Sequence, residues 1–299
     1  MDRRSFLRTG LTAGTALALS RYGGLFAQSQ NNYDLVAVKG GEPDVMFDKA
    51  IEVYGGMKSF VRKGQKVVVK PNIGWDVVPE RAGNTNPQLV GRIIEHCFQA
   101  GAKEVYVFDN TCDDWKRCYA DSGIEKIAKE KKATVVPGNS ESYYHSITVE
   151  KGKQLKQTSV HELILNSDVF INVPVLKHHS STRLTAGMKN LMGIVWDRGY
   201  WHQNDLHQCI ADCATRCKPT LNVVDAYNVM MKNGPRGVSK SDLVMMKSLI
   251  ISTDIVAADA AGAKLFGIEP DDVAYIKYAD EMSAGRKDLS KLNIRRIAI

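Results

Sequence analysis

Short runs of apolar and β-branched residues alternate along the chain with stretches whose apolar positions recur every three to four residues. The first pattern predicts strands at Leu35–Val38, Lys66–Lys70, Glu104–Phe108, Thr134–Val136, Val169–Val173, Leu221–Asp225 and Leu249–Ser252. The second predicts helices at Val45–Tyr54, Pro87–Ala100, Ser122–Lys131, Leu206–Arg216, Ile255–Phe266 and Asp271–Met282. Such alternation argues an α/β fold with a mostly parallel sheet and helices on both faces. The runs Val67–Val69 and Val169–Val173 are nearly continuous in apolar character, as strands covered on both sides should be. Thr85-Asn86-Pro87 supplies a cap followed by proline in the first turn, and Gly101 closes the same helix. Without an internal repeat or a Pro-rich linker, residues 33–299 read as a single large domain. The segment 174–205 is expected to form a long functional loop or lobe within it.

Composition adds an address. Of 299 residues, 44% are apolar and 24% charged, which excludes a disordered chain. No run of 18 apolar residues occurs, so a multi-span membrane protein is excluded too, and no span is expected in the mature chain. Residues 2–10 read DRRSFLRTG, and the small, apolar LTAGTALALS follows. The pair Arg3–Arg4 with Phe6, Leu7 and Arg8 resembles a twin-arginine export signal, with Ala27 as the cleavage residue. Residues 1–27 are therefore expected to be a signal peptide that engages the twin-arginine export machinery, and the mature protein to be periplasmic or otherwise exported. That route carries folded passengers, which raises the expectation of a cofactor inserted before export. The same residues hold four arginines against Asp2, so +3 of the formal +7 leaves with them. The remaining +4 is too mild for a nucleic-acid stripe.

Ligands of open α/β sheets gather beyond the carboxyl ends of the strands. The residues that follow each predicted strand form a consistent polar set. Lys70-Pro71-Asn72 ends one strand and Asp109-Asn110-Thr111-Cys112 another. Lys177-His178-His179 follows Val169–Val173, and Asp225 ends Leu221–Val224. Segment 174–217 holds four of the seven histidines (His178, His179, His202, His207) and three of the six cysteines. Imidazole and thiolate suit transition metals, yet no named zinc or ferredoxin spacing is present. The same histidines, with Lys177, Arg183 and Lys189, equally suit an anion pocket. Cys209, Cys213 and Cys217 lie four apart on one helical stripe, a pattern that packing explains better than metal binding. Cys112 and Cys118 suit a disulfide, or a thiolate ligand at Cys112. There is no phosphate-cradling glycine motif and no G-x-S-x-G elbow.

Lys70-Pro71-Asn72, Thr85-Asn86-Pro87, NVPVLKHH at 172–179, Lys189-Asn190-Leu191-Met192-Gly193, His202 and Asp225-Ala226 together resemble the bacterial and archaeal family known as domain of unknown function 362. The resemblance runs from about residue 35 to 280 and implies an α/β domain of poorly defined function. Some relatives carry a ferredoxin-like iron–sulfur module, whose four cysteines this chain lacks. On this reading Lys70, Asp109, Lys177 and Asp225 are the expected catalytic set. Asn72, Thr85, Lys189 and Asn190 are the expected binders of a small anionic substrate or cofactor. His178, His202, Cys112 and Cys209 are the expected ligands of a transition metal or iron–sulfur cluster, in a possible oxidoreductase. The competing expectations are a non-catalytic binding protein for a phosphate-like or carboxylate ligand, and a maturation partner of another exported enzyme.

Overall fold

Val68 faces one apolar core while Val67 and Val69 face another, so a single strand separates two buried layers. Each fully buried valine contributes about 1.5 kcal/mol or more to stability, and the neighbouring strands repeat the pattern. The computed structural model describes residues 33–299; the predicted signal peptide at 1–27 lies outside the described residues. The strands are β1 (Leu35–Lys39), β2 (Lys66–Pro71), β3 (Glu104–Val107), β4 (Thr134–Val135), β5 (Tyr144–Thr148) and β6 (Gln157–His161). They continue with β7 (Val169–Val173), β8 (Val175–His179), β9 (Arg183–Thr185), β10 (Leu221–Met230), β11 (Leu243–Ser252) and β12 (Ile294–Ala298).

The main sheet runs β12-β1-β11-β10-β7-β2-β3-β4, with β8 joined to β10 and β9 to β8. From β10 through β4 the pairs are parallel, whereas β11 is antiparallel to both β10 and β1. Helices Pro43–Val53 and Pro87–Gln99 cover one face; Leu206–Arg216 and Ile255–Phe266 cover the other. The strands β5 and β6 form a separate two-stranded sheet. No helix among the described residues is long and apolar enough to cross a membrane.

Three expectations need correction. The helix predicted over Ser122–Lys131 is instead two, Trp115–Asp121 and Ile124–Glu130, divided at Gly123 in the left-handed region (φ 71°). Segment 174–205 is not a loop. After Pro174 the chain leaves β7, pairs with β10 as β8, and turns back as β9. The six cysteines are all free, and Cys118 is buried on its helix while Cys112 is exposed, so the Cys112–Cys118 disulfide is not formed.

Candidate functional site

The register aligns Lys70 of β2 with Asn172 of β7, Asn172 with Asn222 of β10, and Asn222 with Ser252 of β11. A polar row therefore crosses the sheet near the carboxyl ends of β2, β7 and β11 and the start of β10. Its amides are connected in one direction. Asn222 donates to the Ser252 carbonyl at 3.3 Å, and Asn172 donates to Asn222 Oδ1 at 3.0 Å. Asn190 then donates to Asn172 Oδ1 at 2.9 Å. The chain of donors leaves Asn190 Oδ1 as an acceptor, and it takes Lys70 Nζ and Asn72 Nδ2, each at 3.0 Å. Asn72 Oδ1 in turn accepts from Lys177 Nζ at 3.0 Å. A backbone carbonyl thus fixes the orientation of successive amides, so that Asn190 and Asn72 turn their oxygens to Lys70 and Lys177. In a low-dielectric interior such chains reinforce one another.

The β8–β9 hairpin supplies the facing wall. With a period of two, Lys177 and His179 lie on one side of β8, and Thr185 of β9 is the cross-strand partner of Lys177. Leu176 and Leu184 point the other way into the core. Lys189 and Asn190 come from the short helix Gly187–Asn190, whose first amides are held by the fully buried Asp259. Gly187 N and Met188 N donate to its two oxygens at 2.6 and 2.9 Å. Replacing Asp259 by Ala leaves both amides buried without acceptors, at about 1–3 kcal/mol each. Calorimetry should then show a melting temperature lower by several degrees, at about 2–4 °C per kcal/mol for a chain of this size.

These elements enclose a cavity of about 60 Å³, lined among others by Lys70, Asn72, Asp109, Lys177, Lys189 and Arg198. That is room for about four waters or one small anion, well under the roughly 300–1,000 Å³ of a drug-sized site. Lys70 is fully buried, and its ammonium lies 2.8 Å from Asp109 Oδ1. The contact is an ion pair without hydrogen-bond alignment, so Oδ1 accepts no hydrogen bond within the protein, while Asp109 Oδ2 takes the Ile73 amide at 2.6 Å. Burial lowers the Lys70 pKa, and Asp109 opposes that shift. Gly193 is required here: a Cβ on it would stand 1.8 Å from Asp109 Oδ1 and 2.5 Å from Lys70 Nζ.

The other cations are less compensated. Lys177 donates to Asn72 and to the Gly83 carbonyl, and burial pushes its pKa down to about 7. Among the described residues Lys189 donates only to the Met192 sulfur, at 3.0 Å, and burial lowers it to about 8. His179 accepts the Ser181 amide on Nδ1 at 3.1 Å. Burial, then repulsion from Lys189 and Lys177, pulls its pKa down to about 3. The ring is therefore neutral at physiological pH, and Nε2 carries its proton. Arg198 braces the opposite loop through the carbonyls of Asn110 (2.8 Å) and Thr111 (2.6 Å). Thr185 Oγ1 is enclosed and makes no hydrogen bond among the described residues.

Of the residues expected from sequence, Lys70, Asn72, Asp109, Cys112, Lys177, Lys189 and Asn190 meet at this cavity. Several others do not line it. Thr85 stands behind it, bonding the Asn72 amide and the Val173 carbonyl. Asp225 anchors the amides of Asn86 and Tyr227, and burial lifts its carboxyl to about 6. His178 Nδ1 accepts the Gly234 amide, His202 is exposed, and Cys209 is buried in the core with its thiol pushed up to about 12 by burial. Arg198 and Thr185 are site residues that the sequence did not single out, whereas His179 belongs to the histidines read as suiting an anion pocket. Arg198 opens the short helix Arg198–Gln203 with no motif to mark it, and Thr185 is visible only once the hairpin is known.

The expected metal set is thus dispersed, and among the described residues no three of His, Cys, Asp and Glu converge as a metal-binding group. The cavity offers one thiol, Cys112, one imidazole, His179, and one carboxylate already opposed to Lys70, within a ring of ammonium and guanidinium groups. Iron–sulfur clusters need several thiolates, and a cation among lysines meets repulsion rather than ligands. The lining does not fit a metal or cluster ligated by protein side chains.

The family described as Domain of unknown function (DUF362) matches residues 67–264. Thylakoid-associated protein sll1697 of Synechocystis sp. is 24% identical over 229 residues, which cover 74% of this chain and 68% of that protein. Among solved structures, the lactate racemase apoprotein from Thermoanaerobacterium thermosaccharolyticum aligns over 80% of this chain with a TM-score of 0.51 and 12% identity. The alignment spans 57% of the racemase chain. A protein from Thermotoga maritima aligns with a TM-score of 0.48 and 10% identity, over 81% of this chain and 60% of its own. At such identities the likeness to solved structures concerns the fold alone.

Proposed function

We propose, for a chain that belongs to the DUF362 family, that the cavity captures a small carboxylate- or phosphate-like anion. Lys189 and Arg198 would hold its charge, with Lys177 placed to exchange a proton with it. The observation that carries this reading is a set of donors facing one cavity without a protein oxygen to receive them. Among the described residues Lys189 Nζ donates only to a thioether, and Thr185 Oγ1 has no hydrogen-bond partner. Buried polar groups are normally satisfied, and an oxyanion is the ligand class that would satisfy these together. The lactate racemase, by its name, handles a small hydroxycarboxylate, but the reading for this chain rests on its own lysines. Export remains part of the proposal, on the Arg3–Arg4 motif alone.

The depressed lysine values give the reading a pH signature. With Lys189 near 8 and Lys177 near 7, the ligand-free fold is favoured with both amines neutral. That contribution is complete above pH 10.5 and is lost as pH falls through about 8 and then about 7. An anion stabilises the ammonium forms and reverses the loss. Calorimetric titration of the full chain with sulfate or L-lactate, whose charges are constant near neutrality, should show proton uptake between about pH 7 and 9. The affinity should fall above about pH 8, and the rise in melting temperature should be larger at pH 6.5 than at 9.5. Absence of heat and of any thermal shift at 10 mM of either anion would sink the proposal.

A further inference from the structure

A second concavity, about 560 Å³, runs between helix Ile255–Phe266 and the sheet face formed by β12, β1 and β11. It exists because small side chains meet there. Ala37 forms its floor and Ala261 its wall, and both remain only partly buried. Around them the lining is aliphatic, with Ile250, Leu265, Leu289 and Ile294. Its volume lies within the range of small-molecule sites, and an apolar channel left to water forgoes both hydrophobic and dispersion stabilisation.

One end of the channel is basic. Parallel pairing sets Arg296 of β12 opposite Ala37 of β1, and Lys39 lies two residues further on the same face. Both side chains are exposed, and among the described residues neither is matched with a carboxylate. The third cation of the lining, Lys264, is already held by Glu269 at 2.7 Å. An aliphatic channel closed by two unmatched cations is complementary to one aliphatic chain bearing one anionic head. We infer that this groove binds a free long-chain fatty carboxylate, its chain against Ala37, Ala261 and Leu265 and its head between Lys39 and Arg296. The site shares no residue with the lysine-lined cavity, so the two readings stand or fall separately.

Calorimetric titration of the full chain with octanoate, decanoate and dodecanoate below their micellar concentrations tests it. Affinity should rise roughly fourfold per added methylene. Arg296→Glu, on the exposed rim, should weaken decanoate about tenfold and leave decanol unchanged, while Ala261→Trp should fill the channel and abolish both. Thermal melts establish whether Ala261→Trp folds, and Arg296→Glu decides the matter if it does not. The inference is overturned by no binding of dodecanoate, by affinity independent of chain length, or by an Arg296→Glu variant with native decanoate affinity. It is equally overturned by binding only to phosphatidylglycerol vesicles, or by a dimer in light scattering that Ala261→Trp disperses.

Discussion

Replacing Lys189 by Met should weaken sulfate or lactate binding about 10- to 100-fold while leaving the melting temperature unchanged or higher. The two effects have opposite signs for one reason. Among the described residues the Lys189 ammonium has no carboxylate partner, its contact being the Met192 sulfur, and burial already holds its pKa near 8. Methionine has nearly the same length and fills the same channel without a charge to desolvate, and removing a poorly compensated buried ion is often neutral or stabilising. A ligand anion loses a charge-assisted hydrogen bond worth about 1.5–3 kcal/mol, which sets the range given. Paired calorimetric titration and thermal scans decide the matter. A variant that binds normally, or that melts several degrees lower, would show that Lys189 supports the fold rather than an anion. Lys70 gives the contrast. Its Met variant abandons Asp109 in a buried position and should destabilise the fold by about 3–5 kcal/mol, the usual consequence of breaking one half of an interior ion pair.

The legible parts of the sequence are those in which periodicity and burial agree. Val169–Val173, Leu206–Arg216 and Ile255–Phe266 have the limits their patterns predict, because both flanks of each carry capping or turn signals. Asn86 caps its helix through the Gln88 amide, as Thr85-Asn86-Pro87 indicates. The β8–β9 hairpin was hidden by its own chemistry. Lys177, His179 and Thr185 occupy positions where an alternating strand would show apolar residues, since the surface they face is a polar cavity rather than a core. The histidines misled for a related reason. An imidazole nitrogen accepts a backbone amide as readily as it binds a metal, and both His178 and His179 spend Nδ1 that way. Asp225 shows the limit of reading strand ends. Sequence puts a carboxylate at the rim, but only coordinates reveal that two backbone amides occupy it. The cysteine stripe, by contrast, is the packing element its spacing suggested, with Cys209 and Cys213 fully buried.

The same dependence of chemistry on backbone placement predicts the largest loss of stability. Gly193→Ala should lower the melting temperature by about 10 °C and remove anion binding, through a single methyl group. The new carbon would stand 1.8 Å from Asp109 Oδ1, 2.5 Å from Lys70 Nζ and 2.7 Å from Lys70 Cε, and both side chains are buried. Moving the backbone instead would break the bond from the Asn110 amide to the Gly193 carbonyl, 3.0 Å long, and displace the loop that Arg198 braces. Whichever path the chain takes, the buried ion pair is forced apart, at about 3–5 kcal/mol. Gly199 provides the control. It is exposed on helix Arg198–Gln203, and its added Cβ would approach only Asp197 Oδ1, at 3.3 Å, so Gly199→Ala should stay within about 1 kcal/mol of the native protein. A Gly193→Ala protein that melts with the native chain would mean that Lys70 and Asp109 are not locked together. The cavity would then have no fixed wall against which an anion could be oriented.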